Sequence, residues 1–389
     1  MRVLHIISSG GMYGAEAVIV NLSRTLNEAS HGSTLAVFSN SPHPNLQLHA
    51  TALEQGIESH LIPCKGQMDR SVMARIRELV TVTRADVVHA HGYKADAYAY
   101  LALRGLGTPL VSTCHTWYDN DPLVSLYGVV DRAMLRRFAA VVAVSQDVKQ
   151  RLLRAGVRRE KIHMVRNGID LRPFDCASPV LREELPFKNA PIVGLIGRLA
   201  PEKGIDIFLR AAARVLTEFP GARFVVAGEG PDRIALEALI DELQIRKSVS
   251  MLGRRDDMPG VYASLDLMVS SSRKEGLPIS ILEGMASRRP LVATAVGEVA
   301  SVVRNWDTGV LLPSKKVEPL AAAIVVLLSD PELRERLGNS ARAMVEAEFS
   351  AARMTADYLD VYQAAIAASG TNRSGRRIDS IFISQETAK

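Results

Sequence analysis

The chain has 389 residues, 47% of them hydrophobic and 23% charged, an ordinary soluble composition with material for two cores. No apolar run approaches the length that spans a bilayer, and the opening MRVLHIISSGG has too short an apolar part, and no cleavage pattern, for a secretory signal. Three scattered cysteines, Cys64, Cys114 and Cys176, indicate a reducing compartment and no metal cluster. The net charge of +5 sits in the first half: residues 1–180 hold 20 Lys and Arg against 15 Asp and Glu, and the remainder holds 27 of each.

Residues 3–7 read as a strand, 8–14 as a glycine-rich loop and 15–26 as a helix. Gly10, Gly11 and Gly14 permit close backbone approach to a ligand, but the loop is not G-x-G-x-x-G, so the dinucleotide fingerprint fails. Strand-like runs recur at 34–38, 59–62, 86–89, 110–114 and 141–144, with helical stretches such as 72–83 and 94–103 between them. Such alternation predicts a parallel sheet with helices on both faces and ligands beyond the carboxyl ends of its strands. His89, His91 and His115 stand at such ends, and period-two alternation puts His89 and His91 on one side of their strand. A zinc site is not expected, since Glu or Cys partners at ligand spacing are absent. Asp119-Asn120-Asp121, just before Pro122, reads as a solvated turn. Residues 123–138 read as an amphipathic helix opening a basic run that extends to Lys161. That run reads as a solvated face or as a patch for anionic lipid; nucleic acid is disfavoured because aromatic interleaving is absent.

Residues 172–191 are rich in proline and charge and read as a linker. A second α/β pattern begins at Ile192, and its first strand runs into GRLAPEKG. Arg198 and Lys203 there can neutralise a departing diphosphate. No Walker-type loop occurs, which disfavours ATP hydrolysis. The most informative stretch is SSSRKEGLPISILEGMA, residues 270–286. It follows an apolar strand; Gly276 allows a turn, and Pro278 suits the first position of a helix. Glu275 therefore lies in the loop and Glu283 in the helix. The N–H groups after Pro278, with the helix dipole, make an anion site. A carboxylate beside a phosphate site fits a ligand that carries hydroxyls next to its phosphates, because a carboxylate accepts two hydrogen bonds from a vicinal diol. Two flanking carboxylates suggest two diols with a diphosphate between them, which describes a nucleotide-diphosphate sugar.

Glu275, seven residues, Glu283, in the context KEGLPISILEGMA, resembles the signature of retaining GT-B glycosyltransferases of family 4 (group 1 type). Residues 14–16 (Gly-Ala-Glu), the HAH of 89–91, the NGID of 167–170, GRL-x3-KG and VVAGEGPD at 225–232 are similar to further segments of that family. The resemblance covers about residues 1–368. It implies an α/β fold of the GT-B kind, two Rossmann-like doubly wound domains facing a cleft. Residues 1–172 would form the acceptor-side domain, 173–190 a linker and 191–350 the donor-side domain. A helix at 351–368 would cross back to the first domain, leaving a disordered tail at 369–389. The reaction implied is transfer of a sugar from a nucleotide sugar to an acceptor hydroxyl with retention, by a front-face route in which the leaving phosphate oxygen helps deprotonate the acceptor.

In that scheme Arg198 and Lys203 stabilise the leaving diphosphate, Glu275 holds sugar hydroxyls and Glu283 the ribose. Gly276 and Leu277 present backbone N–H groups, Gly11 lies under the donor, and His91 hydrogen-bonds the donor sugar. Glu16 and His115 are expected on the acceptor side. Residues 296–298 depart from the family's glycine turn, with Ser301 where an acid is usual, which leaves a role for Glu298 open. No metal or cofactor is expected. The expected partners are a nucleotide sugar, with UDP and GDP both open, and a sugar, glycan or lipid-linked acceptor. An anionic membrane surface is a further partner, and the expected place is the cytoplasm or the inner face of the plasma membrane. The rival readings are a GT-B sugar-nucleotide epimerase and a non-catalytic nucleotide-sugar-binding partner.

Overall fold

The computed structural model describes residues 1–12, 14–42, 44–66, 69–115, 134–185 and 189–383, with side chains through residue 369. The chain divides into two compact units, Met1–Gly168 with Ala351–Lys389, and Ile169–Ser350. Each is a parallel sheet flanked by helices.

The strands of the first unit are β1 (Arg2–Ile7), β2 (Gly32–Ser41), β3 (Glu58–Lys65), β4 (Val87–His91), β5 (Leu110–Cys114), β6 (Ala140–Ala143) and β7 (Ile162–Met164). Their order is β3-β2-β1-β4-β5-β6-β7. Those of the second unit are β8 (Ile192–Ile196), β9 (Arg223–Ala227), β10 (Val249–Gly253), β11 (Leu267–Ser270), β12 (Leu291–Thr294) and β13 (Val310–Leu312), in the order β10-β9-β8-β11-β12-β13. Strands covered by helices on both faces are mostly apolar, and β4, β5, β6 and β12 are buried at every residue, including the polar His89, His91, Ser112, Thr113 and Thr294. Alternate side chains enter separate cores. In the second unit Leu267 and Val269 pack with Phe208 and Phe224, while Met268 packs on the other face with Ile281, Leu282 and Met285.

Both sheets reverse their order beside their first strand. β1 lies between β2 and β4, and β8 lies between β9 and β11. The loops leaving β1 and β4, or β8 and β11, turn to opposite faces, and the crevice between them is where such sheets take ligands. The loops after β8 and β11 carry Arg198, Lys203 and Glu275; the first sheet places His91 at the end of β4.

Several elements differ from the sequence expectation. The helix Gln47–Glu54 and strand β7 are additional, and the latter is only three residues long, too short to show a period. Residues 173–185 are not a free connection: they count with the second unit, where Leu181 is fully buried and Phe174 and Val180 pack against its core. Two four-residue helical turns, Arg172–Asp175 and Leu181–Glu184, hold Pro173 and several of the charges. Entry to and exit from the second unit are tied together, since Ile169 N–H donates to Phe349 O at 2.9 Å. The last helix runs Ala351–Ile383, beyond the end expected before Gly370; Gly370 and Gly375 cost a helix only about 1 kcal/mol each. Asp119, Asp121 and most of the expected helix at 123–138 lie outside the described residues, although Leu135 and Phe138 are fully buried.

Candidate active site

In the second unit two glycines clasp the loop that carries Glu275. Gly204, with φ +62°, approaches so closely that a Cβ on it would lie 2.2 Å from Ser271 O. Gly297, with φ +54°, is similarly placed, its hypothetical Cβ 1.9 Å from Glu275 O. No other residue fits at either place. This resolves the turn at 296–298: its glycine seats against the Glu275 backbone, Glu298 N–H donates to Gly276 O at 3.3 Å, and the Glu298 side chain accepts from the Ser301 hydroxyl at 3.0 Å. Ser271 Oγ completes the clasp by donating to Gly204 O at 2.8 Å.

The Glu275 side chain is 9% exposed. Its Oε1 accepts from Lys203 Nζ at 2.6 Å and from Ser272 Oγ at 2.6 Å, so its buried charge is compensated. Its Oε2 carries no hydrogen bond among the described residues, and neither do the backbone N–H groups of Gly276 and Leu277. One acceptor and two donors are thus left for a ligand at one turn. Pro278 is the N-cap of the helix Ile279–Ala286, one place earlier than expected, and it leaves that helix without a side-chain cap. A cavity of about 10 Å³, room for one water, lies among Lys203, Ser271, Ser272, Glu275 and Ser280. A larger one of about 290 Å³ opens nearby at Asp206, Asp232 and Arg273, but neither glutamate of the signature lines it.

Glu283 accepts from the Tyr262 hydroxyl at 2.8 Å. Burial pushes its carboxyl above the usual carboxylate range, and the Tyr262 hydrogen bond opposes that rise. The Tyr262 hydroxyl is itself pushed well up by burial, then by the neighbouring carboxylate, so it stays a donor. Arg198 is exposed, with no ion-pair partner among the described residues.

The first unit has a different constellation. His5 on β1 is in register with His89 on β4, and Ile7 with His91, so three imidazoles meet inside the sheet's edge. His89 and His91 lie on one side of their strand, ring centroids 4.0 Å apart. His89 spends both nitrogens on the fold: Nδ1 meets Tyr362 OH at 2.8 Å and Nε2 meets Thr113 Oγ1 at 2.8 Å. A cation bound by His5, His89 and His91 together would have to break one of those bonds. His91 is 5% exposed, with Nε2 3.1 Å from His5 Nδ1 and Nδ1 3.3 Å from His115 Nε2. Both of its nitrogens thus face other imidazoles in the ligand-free structure, and His5 is the partner on the inner side. Burial pushes the His91 pKa well below 6.5, that of His5 to about 3 and that of His115 to about 4, so these rings are neutral at pH 7.

Glu16 is buried, its Oε1 3.0 Å from Ser9 Oγ, and Gly11 N–H donates to the same hydroxyl oxygen at 3.2 Å. The serine thus joins the two residues expected near donor and acceptor. Along the basic run, Arg151 pairs with Asp147, Arg158 with Glu160, and Lys161 donates to Phe138 O at 2.7 Å, while Arg154 and Arg159 are exposed.

Comparison with known proteins joins the two halves. The Glycosyltransferase Family 4 profile matches residues 12–172, and the profile of Glycosyl transferases group 1 matches residues 178–344. Alpha-D-kanosaminyltransferase of Streptomyces kanamyceticus is 34% identical over 68% of this chain and 73% of its own length. The chain belongs to the group 1 glycosyl transferases. A second relative of this transferase, N-acetyl-alpha-D-glucosaminyl L-malate synthase of Bacillus anthracis, is 27% identical over 90% of this chain and 93% of its own. Among solved structures, Anabaena Alr3699/HepE in complex with UDP-glucose superposes with a TM-score of 0.80 at 21% identity, over 94% of this chain and 100% of that one. The fold is GT-B, two Rossmann-like domains.

Of the residues expected in the site, Lys203, Glu275, Gly276 and Leu277 come together at one loop, with Glu283 on the helix behind it; Gly11 and Glu16 share Ser9, and His91 joins His115. Ser272, Tyr262 and His5 were not foreseen. A serine three residues before Glu275 is within reach of a loop carboxylate and was legible; Tyr262 and His5 lie 21 and 86 residues from their partners and were not.

Proposed function

We propose that this transferase moves a hexosyl group from a UDP-sugar to an acceptor hydroxyl with retention at the anomeric carbon, without a metal ion, in the synthesis of a polysaccharide, lipopolysaccharide or glycolipid. The observation that carries the reading is the half-used Glu275 carboxylate: Lys203 and Ser272 hold one oxygen, and the other remains beside two N–H groups at a helix start. A sugar hydroxyl suits the free oxygen, and phosphate oxygens suit the N–H groups. Lys203, and Arg198 from the loop after β8, supply positive charge to the diphosphate as its bond to the sugar breaks. The leaving phosphate oxygen takes the acceptor's proton while the acceptor oxygen bonds to the same face of the anomeric carbon. UDP-glucose in Alr3699/HepE supports UDP, and the α-D-glycosyl names of both relatives suit retention from an α-linked donor. Arg137, Arg154 and Arg159 are exposed charges that an anionic lipid surface at the cytoplasmic face would meet.

The test is a thermal-shift screen of UDP- and GDP-sugars, then turnover with acceptor extracts in excess EDTA. A true donor at one hundred times its Kd adds about 2.7 kcal/mol of stability. Full activity in EDTA and a product of unchanged anomeric configuration are expected. Free nucleotide with an altered sugar and no acceptor would identify an epimerase. Binding without turnover would identify a non-catalytic partner. A loss above about tenfold in EDTA, restored by manganese, would overturn metal independence.

A further inference from the structure

Lys203 in the second unit has a carboxylate for its ammonium; Lys94 in the first has none among the described residues. Lys94 lies in the first turn of the helix Tyr93–Leu103 that follows β4, and its half-buried side chain carries Nζ over the Phe38 ring, 5.0 Å from the centre. Nζ donates to Asn40 Oδ1 at 2.5 Å, and Asn40 Nδ2 donates in turn to Ser8 Oγ at 3.2 Å. Asn40 stands near the end of β2 and Ser8 directly follows β1, so the three residues share the carboxyl edge of β2, β1 and β4, where the strand order reverses. Asn40 satisfies one hydrogen bond of the ammonium and supplies no charge. An ammonium has three N–H donors, so two are left, and the Ser8 hydroxyl, which accepts from Asn40, still has its own hydrogen to give. What remains at this edge is hydrogen-bond donors and a positive charge partly out of water, which is costly until a counter-charge meets it.

We propose that Lys94 and Ser8 form a subsite for an anionic group of the acceptor, a phosphate or a carboxylate on the molecule whose hydroxyl is glycosylated. Ammonium and hydroxyl donors meet such oxygens in charge-assisted hydrogen bonds, roughly twice as strong as neutral ones. In the proposed reaction the donor's diphosphate has Lys203 and Arg198 in the second unit, so the anion at Lys94 belongs to the other substrate. Ser8 adjoins Ser9, whose hydroxyl joins Gly11 to Glu16, the residue expected on the acceptor side. Asn40 is a positioning residue: its oxygen holds the ammonium, and its N–H occupies the Ser8 oxygen, so the hydroxyl hydrogen turns away from it. The assignment to the acceptor rests on the transferase reading; the anion site does not.

Competitive acetylation of the lysines, read by mass spectrometry on the full chain with UDP added to fill the diphosphate site, tests the anion site directly. Inorganic phosphate and acetate are each titrated against chloride of equal ionic strength. Once the anion exceeds about twice its Kd, acetylation of Lys94 should slow by about threefold or more, because only the free fraction reacts. The exposed Lys247 and Lys316 should keep their rates. Protection of Lys94 by one anion alone names the group; protection by neither overturns the site. The acceptor assignment is tested in turnover with acceptor extract passed over an anion exchanger. The acceptor should lie in the retained fraction, and its loss on phosphatase treatment would name a phosphate. Lys94→Met keeps an apolar stem over Phe38 and should raise the acceptor KM by about tenfold or more, with a smaller change in kcat, while Lys94→Arg should recover most of the loss. Acceptor activity confined to the unretained fraction, or a KM that does not move in Lys94→Met, overturns the assignment. The labelling uses the unaltered chain, so it decides the site even if Lys94→Met does not fold. Absence of turnover with every fraction, with Lys94 still protected, sinks the transferase reading and leaves the anion site standing.

Discussion

The two units place polar groups at the same topological position by opposite means. All nine histidines of the protein lie in residues 1–168 and none in 169–350. At the end of β4 the first unit buries neutral rings that satisfy one another. After β11 the second unit buries a charge and satisfies it with a cation: Glu275, 9% exposed, against Lys203 at 2.6 Å. The difference teaches that burial alone does not decide whether a site is charged. A partner of opposite sign within hydrogen-bond distance compensates a carboxylate's charge, whereas imidazoles packed against imidazoles in a buried place shed their protons. The second arrangement keeps a charged pair at its loop; the first keeps neutral rings in contact with one another.

The largest expected effect is a difference in acid stability. The pKa values of His5, His89, His91 and His115 are all lowered from 6.5 by burial. Folded, these rings bind fewer protons than unfolded, so their contribution is complete above pH 6.5 and is lost as pH falls toward about 4 for His115 and about 3 for His5. Four such groups tilt the first unit's stability by at most about 5 kcal/mol per pH unit in that window. In the second unit Asp206, Asp241 and Asp257 have carboxyls lowered from 3.8, chiefly by arginine hydrogen bonds, although burial of Asp206 opposes this. Their contribution persists until pH falls below that value. Hydrogen exchange read by mass spectrometry at pH 7 and pH 5 should therefore show peptides of residues 1–168 losing protection while those of 169–350 keep it. Loss of protection in the second unit first would break the comparison.

Next comes the charged loop. In the proposed reaction Glu275 meets the sugar whose charge changes, so Glu275→Gln should lower kcat on the order of 10²-fold, with a smaller change in KM. A change in KM alone would move Glu275 away from the reacting bond.

The smallest effect sharpens the contrast between the two glutamates. Glu283 is held by Tyr262 in a buried place, where the charged form is disfavoured. Glu283→Gln should weaken binding of both donor and free nucleoside diphosphate by about 1–3 kcal/mol, the loss of hydrogen bonds between ribose and a charged group. Calorimetry with UDP measures this, and Glu275→Gln should leave UDP affinity nearly unchanged because UDP lacks the sugar. UDP affinity lost only in Glu275→Gln would reverse the two roles.

Much of this was legible in the chain. β8 stands at the bounds its apolar run predicts, because a strand buried on both faces is mostly apolar, and β5 stands at its expected bounds although Ser112 and Thr113 are buried within it. Glu275 in a loop and Glu283 in a helix follow from Gly276 and Pro278 between them. The expected linker failed because prolines and charges mark irregular backbone and do not report which apolar residues between them, here Phe174 and Leu181, find a core. His91 was rightly placed at a strand end, but the imidazoles that face it were not visible there.

What the sequence determined by itself is local: strands, turns, the spacing of the two acids, and the cations of GRLAPEKG at a strand end. Only the tertiary structure decided which of these groups meet. Lys203 reaches Glu275 across 72 residues, His5 reaches His91 across 86, and His89 reaches Tyr362 across 273. The physical reason is strand order. Parallel strands need crossovers, so β1 neighbours β4 and β8 neighbours β11, and the charge or neutrality of each site follows from that adjacency.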